Sequence, residues 1–262
     1  TMRLSGTTPS AVTSHHNDTS WLLWLCASRM GFATIFTTYS AALPLLRTDW
    51  NMTASQAGMV QSAWHLGFLV SLFAVGFLVD HYGARRTYLV TSIAASASAL
   101  VFAVFSDGFL SALLLHGFVG LCSGGSYTPG LALIAERFRS RGQGRAMGFY
   151  LAAASFGYAV SLFLSSALIP VYGWRGAFVV TACGPLAATL IAFLLLRNTP
   201  NVIHPAPADH GDRASLLTVI RNRPAMLAIW AYAFHAWELI GLWAWLPAYL
   251  AAAMSYGSVT VV

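Results

Sequence analysis

The sequence predicts an all-α, polytopic membrane helix bundle, and three observations predict it. Of 262 residues, 57% are hydrophobic and only 8% charged, against about 25% charged in a soluble domain. So few charges cannot cover a water-soluble surface, and a disordered chain would need the opposite balance. Second, the stretches 50–79, 87–106, 108–135, 146–174 and 176–196 hold no Asp, Glu, Lys or Arg. Each can supply the roughly 20 helical residues that cross a bilayer core. Third, these stretches are continuously apolar, which excludes a barrel built from short alternating strands. The bilayer is therefore the expected partner.

Taken in order, helix 1 covers 21–46, interrupted by Arg29, and helices 2 to 6 cover 55–79, 87–105, 109–134, 146–170 and 174–196. Residues 1–197 form a six-helix bundle on this reading. Residues 198–223 are a linker whose Pro200, Pro205 and Pro207 preclude continuous helix. Asp212 can cap a short surface helix carrying Leu216, Leu217 and Ile220 on one face. Residues 224–262 carry helix 7 at 224–254, interrupted by Glu238.

All basic residues are Arg, which points to a GC-rich bacterial genome, and the net charge of +6 could suggest nucleic acid. No dense basic patch with interleaved aromatics exists, so nucleic acid is not an expected partner. Instead Arg3, Arg85, Arg86, Arg137, Arg139, Arg141, Arg145, Arg197, Arg213, Arg221 and Arg223 fall on alternate connections, with only Arg47 and Arg175 opposite them. This asymmetry places the N-terminus in the cytoplasm of a multi-pass plasma-membrane protein, the bacterial inner membrane. The first 20 residues lack a signal-peptide layout. Cys26, Cys122 and Cys183 have no CxxC spacing and read as small buried hydrophobes, so neither a metal site nor a cofactor is expected.

The most specific motif joins helices 2 and 3. Gly76, Leu78, Asp80, Gly83, Arg85 and Arg86 spell GxLxDxxGxRR. Gly76 permits close helix approach. Asp80 opposes its own helix dipole and needs a partner, either Arg85 or Arg86 or the N-terminal end of another helix. With this motif the chain resembles the major facilitator superfamily. His116, Gly117, Gly120, Gly124, Gly125 and Pro129 resemble the family's fourth-helix pattern, with His116 where Arg is usual. Glu136 closes that helix, and Tyr172-Gly173-Trp174-Arg175 resembles a family turn. The GPxxGG pattern of proton-antiporting drug exporters is missing, the segment reading Ala154-Ser-Phe-Gly157-Tyr158. A full member has twelve helices, so the resemblance implies a six-helix half plus one helix of an incomplete second half, with the missing half needed for function.

The resemblance implies secondary transport by alternating access, with helices 1, 4 and 7 lining a cavity, and no enzymatic activity. Intramembrane ionisable residues tend to face a cavity or a partner. On helix 1, Arg29, Ala33, Phe36 and Ser40 share a face. His116, Ser123 and Tyr127 do so on helix 4, and His235 and Glu238 are neighbours on helix 7. Arg29, His116, Tyr127, His235 and Glu238 are the candidate substrate and proton-coupling residues. Gly76, Asp80, Gly83, Arg85, Arg86 and Glu136 are the candidate cytoplasmic gate. The expected cargo is a small anion moving with protons. Efflux of hydrophobic compounds is the alternative, and a non-transporting receptor or assembly subunit is another. Bland readings accompany each candidate: a structural ion pair or snorkelling for Arg29, a packing pair for His235 and Glu238, and bundle packing for His65.

Overall fold

The computed structural model describes residues 10–138, 142–203 and 220–255, and every regular element among them is helical. These are α1 (Ser10–Ala33), α2 (Thr38–Asp49), α3 (Ala54–Tyr82), α4 (Ala84–Phe105), α5 (Phe109–Ser123), a 3-10 turn (Gly124–Ser126), α6 (Thr128–Arg137), α7 (Gln143–Leu196) and α8 (Arg223–Ser255). Five stretches are long and apolar enough to cross a membrane: α3, α4, α5 through α6, α7 and α8. The surface helix expected near Asp212 lies outside the described residues.

The first expected span is two helices rather than one. Helix α1 ends at Ala33 and α2 begins at Thr38. The intervening sequence Thr34-Ile-Phe-Thr37 is β-branched at three of its four positions, and threonine hydroxyls compete for backbone groups. Here they find partners on two other spans: Thr34 Oγ1 donates to the Thr181 carbonyl at 2.9 Å and Thr37 Oγ1 to the Tyr158 carbonyl at 3.0 Å. The fourth expected span is broken too, between α5 and α6. Pro129 has no N–H for the Gly125 carbonyl four residues back, and two adjacent glycines weaken the helix just before it. The Gly124 N–H turns to Ser71 Oγ at 3.2 Å.

Helix α7 holds two antiparallel spans. A straight helix of 54 residues would run about 80 Å and separate residues 157 and 184 by about 40 Å. Instead both lie against adjacent residues of α1. A Cβ added to Gly157 would sit 2.5 Å from the Met30 carbonyl oxygen, and one on Gly184 would sit 2.7 Å from that of Gly31. The reversal occurs at Gly173, with φ 68° and ψ 178°, a conformation essentially reserved for glycine. Beside it Trp174 Nε1 donates to Asp49 at 3.0 Å, and the Arg175 guanidinium donates to the carbonyls of Ala103, Val104 and Ser106. Arg175 thereby satisfies the free C-terminal carbonyls of α4.

Two kinds of contact join the spans. Between α3 and α5 the backbones nearly touch, because a Cβ on Gly120 would collide with the Trp64 carbonyl. Such approach suits helices in lipid, where dispersion and hydrogen bonds replace the hydrophobic drive. Between α1, α4 and α7, buried hydroxyls bond across the seams: Ser28 to the Ala188 carbonyl at 2.9 Å and Ser96 to that of Ala182 at 2.8 Å.

Candidate functional site

Arg29 sits one turn before the end of α1 and is only 7% exposed. Its guanidinium donates to Ser126 Oγ, in the 3-10 turn between α5 and α6. It lies between two phenol rings, 5.7 Å from the Tyr127 centroid and 5.6 Å from that of Tyr150. Tyr150 Oη in turn donates to the Ser126 carbonyl. The interruption of the fourth span thus delivers Ser126 and Tyr127 to the cation. Arg29 Nε is buried without a hydrogen-bond partner, and among the described residues no carboxylate pairs with this guanidinium. A buried, incompletely satisfied cation is energetically costly unless a ligand completes it.

The wall beside Arg29 continues through Phe32, Ala33 and Phe36 on the same side of the first span, with Trp64, Ser123 and Tyr158 opposite. Phe36 stacks on Tyr158 at 4.3 Å, and α8 places Trp243 edge-on to Tyr158 at 5.8 Å. Tyr232 of α8 lies within interaction range of Tyr127. The first, second, fourth, fifth and seventh expected spans all reach this wall.

Of the residues expected here, Arg29 and Tyr127 come together and the others do not. Ser40, expected on the Arg29 face, is buried beyond the break in the first span and does not line the wall. His116 shares a helical face with Ser123 but sits two turns further from Arg29. There Tyr39 and Phe102 close over its ring at 4.6 and 5.1 Å, and its Nδ1 lies 3.2 Å from the Val60 carbonyl. His235 and Glu238 lie on exposed positions of α8, which brings Trp243 against the wall instead. His65 hydrogen-bonds through Nδ1 to the Gln61 carbonyl at 2.8 Å and lines a separate groove between α3 and α8.

The expected gate motif is organised differently from the reading of its charges. Asp80 is exposed and makes no ion pair with Arg85 or Arg86. Arg85 instead donates to the carbonyls of Thr199 and Arg197 at 3.2 and 3.1 Å. Free carbonyls at the end of α7 are natural acceptors for a cation. Asn201 completes the latch: its Nδ2 donates to the Tyr82 carbonyl at 2.7 Å, and its Oδ1 accepts from the Arg86 N–H at 3.3 Å. Gly83 turns there with φ 81°, and a Cβ on it would meet Asn201 at 2.5 Å. Gly76 faces open space. Glu136, half-buried at the end of α6, precedes Arg137, which pairs with Asp18 at 2.8 Å and lies 4.8 Å over the Trp21 ring. Asp18, Ser126, Tyr150, Tyr158 and Asn201 were not among the sequence-derived candidates. Tyr158 carried a signal, an aromatic hydroxyl beside Gly157 inside an apolar span, whereas Asn201 carried none.

Helices of membrane length, two spans broken beside a buried cation, define a polytopic membrane protein with an intramembrane polar site. The chain belongs to the Major Facilitator Superfamily, whose family model matches residues 25–262. It is 25% identical over 230 residues to the probable sulfoacetate transporter SauU of Cupriavidus necator, covering 83% of this chain and 53% of that protein. It is 23% identical to the hexuronate transporter of Bacillus subtilis, covering 80% of this chain and 51% of that protein. With the cis,cis-muconate transport protein of Acinetobacter baylyi it shares 26% identity, covering 80% and 53%. These relatives are transporters, not enzymes, and the chain spans about half their length. In fold it matches a bacterial homologue of the human lysosomal transporter Spinster, in an inward-facing, unoccupied conformation, with a TM-score of 0.72 at 17% identity. That match covers 97% of this chain and 58% of the other.

Proposed function

We propose that the chain is the six-helix half, residues 1–197, with a linker at 198–223 and the first helix of a second half, of a secondary transporter that moves small organic anions by alternating access. The observation that carries this reading is Arg29, a buried guanidinium with an unpartnered Nε, no carboxylate paired to it among the described residues, and a wall beside it. Its planar fork matches a carboxylate or sulfonate oxygen pair. The relatives named for sulfoacetate, hexuronate and muconate support an anionic cargo. The Arg asymmetry supports a bacterial inner-membrane location with the N-terminus in the cytoplasm. Reconstituted full-length protein should show saturable counterflow of small carboxylates or sulfonates. Transport confined to neutral solutes overturns the reading.

Proton coupling belongs to the same proposal, with Glu238 as the residue assigned to it. Glu238→Gln is expected to stop uptake driven by a proton gradient while sparing exchange of substrate for substrate. Gradient-driven uptake that survives the change removes Glu238 from the coupling. Asp80, left exposed while Arg85 and Arg86 turn to residues 197–201, is the group we assign to the gate, its partner being the N-terminal end of a helix in the second half. Asp80→Asn should insert normally and lose about tenfold or more of the transport rate. Undiminished flux from a well-expressed variant refutes that assignment.

A further inference from the structure

The wall beside Arg29 is rich in π surface, and three hydroxyl oxygens are its side-chain acceptors. Its aromatic members pack on one another: Trp64 meets Phe36 edge-on at 4.8 Å, and Phe68 stacks on Trp64 at 5.1 Å. With the Phe36–Tyr158 stack these form a nearly continuous aromatic surface across the second and fifth spans. Among its polar members are no carboxylate and no amide. Its side-chain acceptors are the hydroxyl oxygens of Ser123, which donates its own proton to the Val119 carbonyl at 2.6 Å, of Ser126, which already accepts from Arg29, and of Tyr158. The unpartnered buried groups here are both N–H donors, Arg29 Nε and Trp64 Nε1.

This inventory discriminates between classes of organic acid. A sugar acid brings several hydroxyl protons that need acceptors, and each one buried without an acceptor is destabilising. A flat, unsaturated acid brings a carboxylate for the guanidinium and a π face or edge for the aromatic surface. One cation lines the wall, which matches one carboxylate. Resting on the reading of Arg29 as the anion contact, we infer that the site selects planar, π-conjugated monocarboxylates over polyhydroxylated acids. Shape and π surface set the preference, while Arg29 supplies the charge recognition common to both classes.

Benzoate, cyclohexanecarboxylate and gluconate separate the contributions, because all three carry one carboxylate and the first two have nearly equal bulk. Calorimetric titration of the purified full-length protein should find benzoate bound about five- to tenfold more tightly than cyclohexanecarboxylate, the size of an aromatic-pair contribution. Gluconate should bind at least about tenfold more weakly than benzoate. Phe36→Leu and Tyr158→Leu should each bring benzoate to within about twofold of cyclohexanecarboxylate, the second variant standing in if the first does not fold. Equal binding of benzoate and cyclohexanecarboxylate, or tightest binding of gluconate, overturns this selectivity and leaves the anion reading standing. Absence of binding by all three, or binding that survives Arg29→Ala, overturns the anion reading and the selectivity with it.

Discussion

Arg29→Ala is expected to abolish binding of the organic anion without destabilising the protein. The two halves of that result come from one geometry. The guanidinium is held by Ser126 Oγ and two phenol faces, with Nε unpartnered. Contacts of a cation with ring faces contribute about 1–2 kcal/mol when desolvated, less than the several kcal/mol that burial of an unpaired charge costs. Removing the side chain therefore relieves as much as it loses, and the melting temperature should hold or rise. Binding is another matter. Two charge-assisted hydrogen bonds of about 1.5–3 kcal/mol each disappear, which corresponds to a loss of about a hundredfold or more in affinity. Arg29→Lys keeps the charge but loses the fork and the reach of Nε, and should still weaken binding about tenfold. Titration and thermal unfolding of the same three preparations check both halves. A falling melting temperature with unchanged binding would make Arg29 a structural residue.

The second large effect is on folding. Gly120→Val should remove most of the folded protein from the membrane fraction. The obstacle is backbone, since the new Cβ would strike the Trp64 carbonyl oxygen, and in the same α3–α5 seam a Cβ on Gly67 would strike the Gly117 carbonyl oxygen. A side chain can rotate away from an intruder, but a helix backbone must move as a unit. Overpacking a yielding core costs about 1–3 kcal/mol, and this rigid contact should exceed that range. Gly148→Ala is the control: its Cβ would meet nothing within 4 Å, and Gly148 lies inside α7. There the gain in helix propensity should stabilise by about 0.5–1 kcal/mol. Detergent-extracted yield and unfolding temperature of the two variants give the comparison. Equal yields would show that the seam opens more easily than its geometry implies.

Composition and charge-free runs were enough to recognise a membrane helix bundle, because lipid forces every span to satisfy its own backbone. Arg29 was legible for the same reason, as a lone cation in an apolar stretch. What the sequence concealed was non-local. The break at Thr34–Thr37 depends on carbonyls of Tyr158 and Thr181, far along the chain. The fate of Arg85 depends on the carbonyls of Arg197 and Thr199, and backbone acceptors have no residue type to betray them. Gly124, Gly125 and Pro129 were visible as parts of a fourth-helix pattern. Their second role, turning Ser126 and Tyr127 towards Arg29, needs the three-dimensional placement of α1. Glu238 and His235 show the converse. Helical adjacency alone could not say that the face they share would be exposed.

The reversal at Gly173 constrains how the polypeptide enters the bilayer. One residue separates two long apolar helices, so there is no hydrophilic loop to be delivered across before the return strand forms. The two spans are therefore expected to enter the bilayer together, as a hairpin. At the tip the Asp49 carboxylate accepts from Trp174, and carbonyls at the end of α4 accept from Arg175. Epitope tags or protease sites placed at 173 would have to push both helices apart. The tip is therefore expected to matter to the insertion of the pair as well as to the finished fold.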